Sequence, residues 1–130
     1  MSVEKFEDII AWQKAGKLTL DIYKIFKKCR DYNFKDQIQR ATVSIMNNIA
    51  EGFERKSNKE FIRFLYIAKG SWGEVRSMLY LAMRLNYITE KDFQNFYKKS
   101  IEISKVLSGL IKSLKWLYTF TFILFTISHD

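Results

Sequence analysis

The segment from Asp36 to Ala68, DQIQRATVSIMNNIAEGFERKSNKEFIRFLYIA, decides the fold. In its first half Ile38, Ala41, Ile45 and Ile49 recur at steps of three and four, the spacing that lines up one face of an α-helix. The stripe runs into Gly52, a residue able to take the left-handed conformation that closes many helices, so a helix end is expected there. Ser57, followed three positions later by Glu60, is a capping-box pattern: the hydroxyl accepts from an early amide while the carboxylate reaches back to the cap. A second helix therefore starts there, with Phe61, Leu65 and Ala68 on its stripe. Two helices joined by a turn this short must run antiparallel.

The same rhythm extends in both directions. Upstream, Ala11, Ala15, Leu18, Ile22, Ile25 and Cys29 predict a helix from Ile10 to Cys29 with Asp8 as its N-cap, and Arg30 to Phe34 is read as a short polar connection. Downstream, the third stripe continues through Trp72, Val75, Leu79 and Ala82 to a stop at Asn86. Thr89 with Asp92 marks a fourth start, and Phe93, Phe96, Ser100, Ile103, Leu107, Leu110 and Leu114 follow. Four such stripes with tight connections specify an all-α, up-down-up-down four-helix bundle, one domain over residues 1–115, with an apolar C-terminal tail over 116–130. Gly70 and Gly73 fall inside the third helix, where each costs about 1 kcal/mol relative to Ala, and a close helix approach is the expected compensation.

Composition agrees. The 130 residues include no Pro and only five Gly, which argues against turn-rich β folds. The single cysteine, Cys29, rules out an intramolecular disulfide and suits a reducing compartment; it is expected in the core. The start, MSVEKFEDII, lacks the pattern of a secretory signal, so a cytoplasmic location is expected. The apolar run Trp116 to Ile127 is too short for the ~20 residues a bilayer-spanning helix needs. It is expected to extend the fourth helix or pack on a neighbouring copy. Ile62, Phe64, Tyr66 and Ile67 lie off the third stripe and make that helix apolar on most sides, which predicts burial against another copy of the chain, or else a central place between two neighbouring helices.

The net charge of +8 leans toward nucleic acid or other polyanions and is not confined to a tail. Arg55, Lys56, Lys59 and Arg63 cluster where the third helix begins, where the helix's own amides also favour phosphate. Lys14, Lys17, Lys24 and Lys28 form a second basic stripe along the first helix. Tyr66, Tyr80, Tyr87 and Phe53 are candidates to stack on bases, against the alternative that most of the aromatics simply fill the core, and no RNA-recognition, KH or zinc-finger signature accompanies them. Arg40, Ser44, Asn48 and Glu51 share a face of the second helix and need partners, either one another or Glu60, Arg63 or Tyr66, which points to a polar network at the junction of helices two and three, with an anion or nucleotide pocket there as the alternative. No catalytic set can be assembled from one histidine, His129, and one cysteine, and no metal site or cofactor is expected. A protein-interaction module without nucleic acid is the competing reading. A small-molecule substrate is not expected.

Three separated motifs carry a resemblance: FEDIIAWQKA at Phe6 to Ala15, QIQRATVSIMNNIAEGFERKSNKEFIRFLYIAKGS at Gln37 to Ser71, and LAMRLNYI at Leu81 to Ile88. Together they resemble the bacterial four-helix-bundle family found as reading frames inside intervening sequences of large-subunit ribosomal RNA genes. The resemblance implies an up-and-down bundle, a ring-like homo-oligomer, pentameric in related structures, and no established enzymatic activity. A relative by fold, the accessory protein of diversity-generating retroelements, is a basic bundle that binds a reverse transcriptase and nucleic acid, so a nucleoprotein partner of that type is implied by fold analogy alone. Met46 stands where the family pattern carries Pro, which implies a weaker kink in helix two. The tail after Lys115 departs from the polar ends common in the family.

Overall fold

The computed structural model describes the backbone of residues 3–128 and the side chains of residues 3–117. A 3-10 turn at Phe6–Asp8 leads into four helices, α1 (Ile10–Ile25), α2 (Tyr32–Glu54), α3 (Asn58–Arg84) and α4 (Glu90–Ser128), and the described residues contain no strand. α1 packs on α2 and α4, and α3 packs on the same two, so α1 and α3 face each other across the core diagonal. The Tyr87 hydroxyl donates to the Asp31 carboxylate at 2.7 Å, tying the α1–α2 and α3–α4 turns together at one end. The α2–α3 turn lies at the other end, where Arg55, Lys56 and Ser57 share a cleft with Val3 and Leu114. We call these the upper and lower ends. α4 runs without a break through Lys115, where the sequence reading divides bundle from tail, and the side-chain packing expected of residues 118–127 lies outside the described residues, as does His129.

Three helix ends follow their local chemistry. Ser57 Oγ accepts from Glu60 N at 3.1 Å. Thr89 Oγ1 accepts from Asp92 N at 3.0 Å while Asp92 Oδ2 accepts from Thr89 N at 3.3 Å, a reciprocal box that satisfies two otherwise orphaned amides. Asn86 takes a φ of 60°, and beyond the end of α3 Tyr87 N donates to Ala82 O at 2.8 Å and Asn86 N to Met83 O at 3.0 Å, the paired bonds of a Schellman stop.

Other ends differ from expectation. Asp8 sits in the 3-10 turn rather than capping α1, whose cap position is Ile9, without a side-chain bond. α1 stops at Ile25 because the chain turns at Phe26, whose ring is wholly buried; Cys29 is left half-buried at the core edge. Asp31, placed by the sequence in a connection, caps α2 by accepting from Phe34 N at 3.1 Å. α2 passes Met46 as continuous helix, and Gly52 lies inside it with ordinary helical backbone. The role of Gly52 is steric. A Cβ there would sit 2.6 Å from Phe64 Cβ and 3.0 Å from Phe61 Cδ1, so the close approach expected at Gly70 and Gly73 occurs at Gly52 instead, and no described residue lies within 4 Å of a Cβ at either of those two.

The stripes read from sequence converge on one core. Ala11, Ala15, Leu18 and Ile22 meet Ile38, Ala41, Ile45 and Ile49, and across from them stand Phe61, Leu65, Ala68, Trp72, Val75, Leu79 and Ala82. Each Leu, Ile, Val or Phe buried this way contributes about 1.5–3 kcal/mol. In α4 Ile111 is buried where Leu110 was expected, since a 3.6-residue helix drifts against a strict three-four alternation.

Gly52→Ala is expected to destabilise the chain by about 1–3 kcal/mol through overpacking on Phe64, although Ala is the better helix former. Gly109→Ala, in helix interior with open space around it, is expected to stabilise by up to about 1 kcal/mol. Urea unfolding of both variants checks the contrast.

Candidate functional site

At the lower end the Gly52 approach buries Phe64 beneath the α2–α3 turn. The Phe64 ring then takes two guanidinium groups, Arg55 with its carbon 4.9 Å from the centroid and Arg63 at 5.3 Å. Arg55 also pairs with Glu51 at 3.0 Å and Arg63 with Glu60 at 3.2 Å. Half of the basic cluster read from sequence is thus already held by carboxylates and an aromatic face. Lys56 and Lys59 remain exposed without an ion pair among the described residues, in a neighbourhood that also holds Glu54. Of the amides exposed at the α3 start, that of Glu60 is taken by Ser57. Glu51 and Glu60, each bound to its own arginine, do not act as a pair.

The expected polar network divides in three. Ser44 and Asn48 do come together: Asn48 Nδ2 donates to Ser44 O at 2.7 Å and to Ser44 Oγ at 3.0 Å, and Ser44 Oγ meets Ser71 Oγ at 2.8 Å across the α2–α3 seam. Arg40 instead pairs with Asp36 one turn back at 2.9 Å, well exposed, and Glu51 goes to Arg55. Ser71, which the sequence reading passed over, supplies the cross-helix partner; Tyr66 is engaged by Lys115 at 2.6 Å. The set is a seam between helices.

On α1, Lys14 binds Glu102 of α4, and Lys99 of α4 binds Asp21 at 3.0 Å. These cross-ties border a shallow cleft of about 140 Å³ in which Lys17 lies exposed beside them. The Lys14 ammonium, with Lys17 a smaller influence, holds the Glu102 carboxyl below the usual carboxylate range. Lys14 therefore serves the α1–α4 seam.

The upper end is different. From Lys24 to Lys35 the chain reads KIFKKCRDYNFK, with cations at Lys24, Lys27, Lys28, Arg30 and Lys35 and one acid, Asp31. None of the five makes an ion pair among the described residues. Lys35 Nζ donates to Lys27 O at 3.0 Å, closing a carbonyl exposed by the end of α1. Asp31 accepts from the Tyr87 hydroxyl and from Phe34 N, which together hold its carboxyl below the usual range; the same bond raises the Tyr87 phenol. The aromatics expected to stack on bases are occupied: Phe53 meets Phe61, Tyr80 meets Phe93 and Tyr97, Tyr87 meets Phe34, and the Lys115 ammonium stands over Tyr66. Tyr32, in the same segment as the five cations, is 71% exposed. Only Lys24 and Lys28 of this group were singled out from the sequence; the density of five cations in twelve residues was the available signal. Among the described residues no three His, Cys, Asp or Glu gather as metal ligands, and no helix is long and apolar enough to cross a membrane.

Residues 7–109 match the family model of the 23S rRNA-intervening sequence protein. A crystal structure of a protein of unknown function from the S23 ribosomal protein family of Bacteroides thetaiotaomicron superposes with a TM-score of 0.74 at 29% identity, covering 79% of this chain and 96% of that one. No curated protein matches the chain.

The Asp31–Tyr87 bond has a signed pH dependence. Asp31 is depressed, so its contribution is present at neutral pH and is lost as pH falls through the folded carboxylate value; Tyr87 is raised, so the bond is also lost as pH climbs through the tyrosine range. Tyr87→Phe is expected to lower the thermal midpoint at neutral pH, with the gap to the parent protein closing in acid. Thermal unfolding across a pH series measures it.

Proposed function

The chain belongs to the 23S rRNA-intervening sequence protein family, and from that premise we propose that it is a non-catalytic, self-associating scaffold of the cytoplasm that binds RNA or an RNA-containing partner through basic surfaces. The observation that carries the reading is the cationic surplus: a net charge of +8 on a bundle whose few ion pairs leave most lysines facing solvent. Fixed, unpaired cations on a rigid helical frame suit a repeating phosphate backbone, which needs charge at many points and little shape.

Self-association has its own support. The outward face of α3 presents Ile67 at 43% exposure and Leu81 at 47%, with Leu85 also exposed and Gly70 between them offering a low point for a neighbouring helix. Among the described residues α2 and α4 pack the other sides of α3 and leave this face open. Closing copies into a ring, five of them by the family resemblance, would bury the stripe and repeat the basic surface around it. A reverse-transcriptase-type nucleoprotein remains a partner suggested by fold analogy alone.

Titration with structured RNA over rising salt is expected to show affinity falling linearly on a log–log plot, and absence of binding at low salt removes the RNA reading in favour of a pure protein-interaction role. Ile67→Glu with Leu81→Glu is expected to turn an assembly into single folded chains in sedimentation velocity. A parent protein that already sediments as one chain defeats the scaffold's self-association.

A further inference from the structure

A polyanion site needs several cations that carboxylates do not already hold, and the two ends of this bundle differ in that respect. At the lower end Arg55 and Arg63 are bound to Glu51 and Glu60 and lie on the Phe64 ring. At the upper end Lys24, Lys27, Lys28, Arg30 and Lys35 have no ion-pair partner among the described residues, and the one acid of the segment is turned to Tyr87 and Phe34. The turn is held rather than loose: Asp31 caps α2, Tyr87 ties it to the α3–α4 turn, and the Phe26, Phe34 and Tyr87 rings pack in succession at 5.5 Å and 5.3 Å. Tyr32 adds a flat apolar face on that support, 71% exposed, with no ring contact or hydrogen bond among the described residues.

Given the RNA-binding reading, on which this rests, we infer that the α1–α2 turn is a single-stranded RNA site, with Lys24, Lys27, Lys28, Arg30 and Lys35 taking phosphates and Tyr32 stacking on an unpaired base. The unpaired state of the base follows from the ring: stacking on an aromatic side chain requires a base face that a duplex keeps against its neighbours. An anionic membrane is the weaker match, because Tyr32 is flanked by Asp31 and Asn33 and the turn exposes no Leu, Ile or Trp to enter a lipid interface.

The test compares two double variants of equal charge change, Lys28→Glu with Arg30→Glu at the upper end and Lys56→Glu with Lys59→Glu at the lower end, together with Tyr32→Ala. All five positions are exposed, and Lys28 and Arg30 lie beyond the end of α1, so the fold tolerates the changes; circular dichroism verifies this. Fluorescence anisotropy is read with labelled oligouridine, with an RNA duplex of the same length, and by co-sedimentation with anionic phospholipid vesicles. The upper-end variant is expected to cut the single-strand salt slope by about 1.4, two phosphates at about 0.7 each. Tyr32→Ala is expected to weaken oligouridine about tenfold, one stacked base, while leaving the slope and the duplex affinity unchanged. Loss in the lower-end variant with the upper-end variant intact overturns the inference and leaves the RNA reading standing, as does a Tyr32→Ala protein that binds oligouridine like the parent. Binding to vesicles in place of RNA, or no nucleic-acid binding by the parent protein at all, overturns the RNA reading and the site with it.

Discussion

The contact between Gly52 and Phe64 governs the lower half of this bundle. With no Cβ on Gly52, α3 comes close enough to α2 for the Phe64 ring to be buried under the turn that joins them. The buried ring gives Arg55 and Arg63 a surface to lie on, and Glu51 and Glu60, one turn away along their own helices, complete the clamp. Ser44, Asn48 and Ser71 continue the same seam toward the middle of the molecule with small polar side chains that keep the helices near each other. A single missing methyl group thus permits the close approach of α2 and α3 at this end and, through it, the placement of two arginines.

That placement matters more for where charge is available than for stability. Exposed pairs of this kind are worth about 0–1 kcal/mol each, small beside the buried stripes of the four helices. Their effect is to take specific cations out of play: Arg55 and Arg63 at the lower end, Arg40 beside Asp36, Lys14 and Lys99 along the α1–α4 seam. The upper turn keeps its five cations because its one carboxylate, Asp31, is spent on capping α2 and holding Tyr87. Structural and electrostatic roles are therefore divided between the ends: one is locked by arginine clamps, and the other is braced by aromatic rings and left positive.

Among the described residues the polar side chains that converge do so in helix seams, as caps or as surface pairs. The exposed surface of this frame includes an outward apolar stripe on α3 and a positively charged, aromatic-bearing turn.

Much of this was legible from local pattern. The four stripes, the Ser57 and Thr89 starts and the Asn86 stop depend on residues within one or two turns of each other, so periodicity and capping chemistry suffice to place them. The helix count and up-down-up-down order follow from short connections between those stripes. Where reading the chain in order went astray, the competing term was a contact that only the folded helices reveal, or a local partner on the other side of the residue. Gly52 looked like a helix stop because its close packing on Phe64 is invisible along the chain; Arg40 was assigned to the face it shares with Ser44 although Asp36, one turn back, takes it; Gly70 and Gly73 were given an approach that no described residue makes. The linear chain determined the bundle and its sign of charge, both sums over residues that need no neighbours to be named. Which cations stay free, and which aromatic ring stands open, was decided only in three dimensions, since pairing falls off over a few ångströms and depends on which helices the folded chain sets side by side.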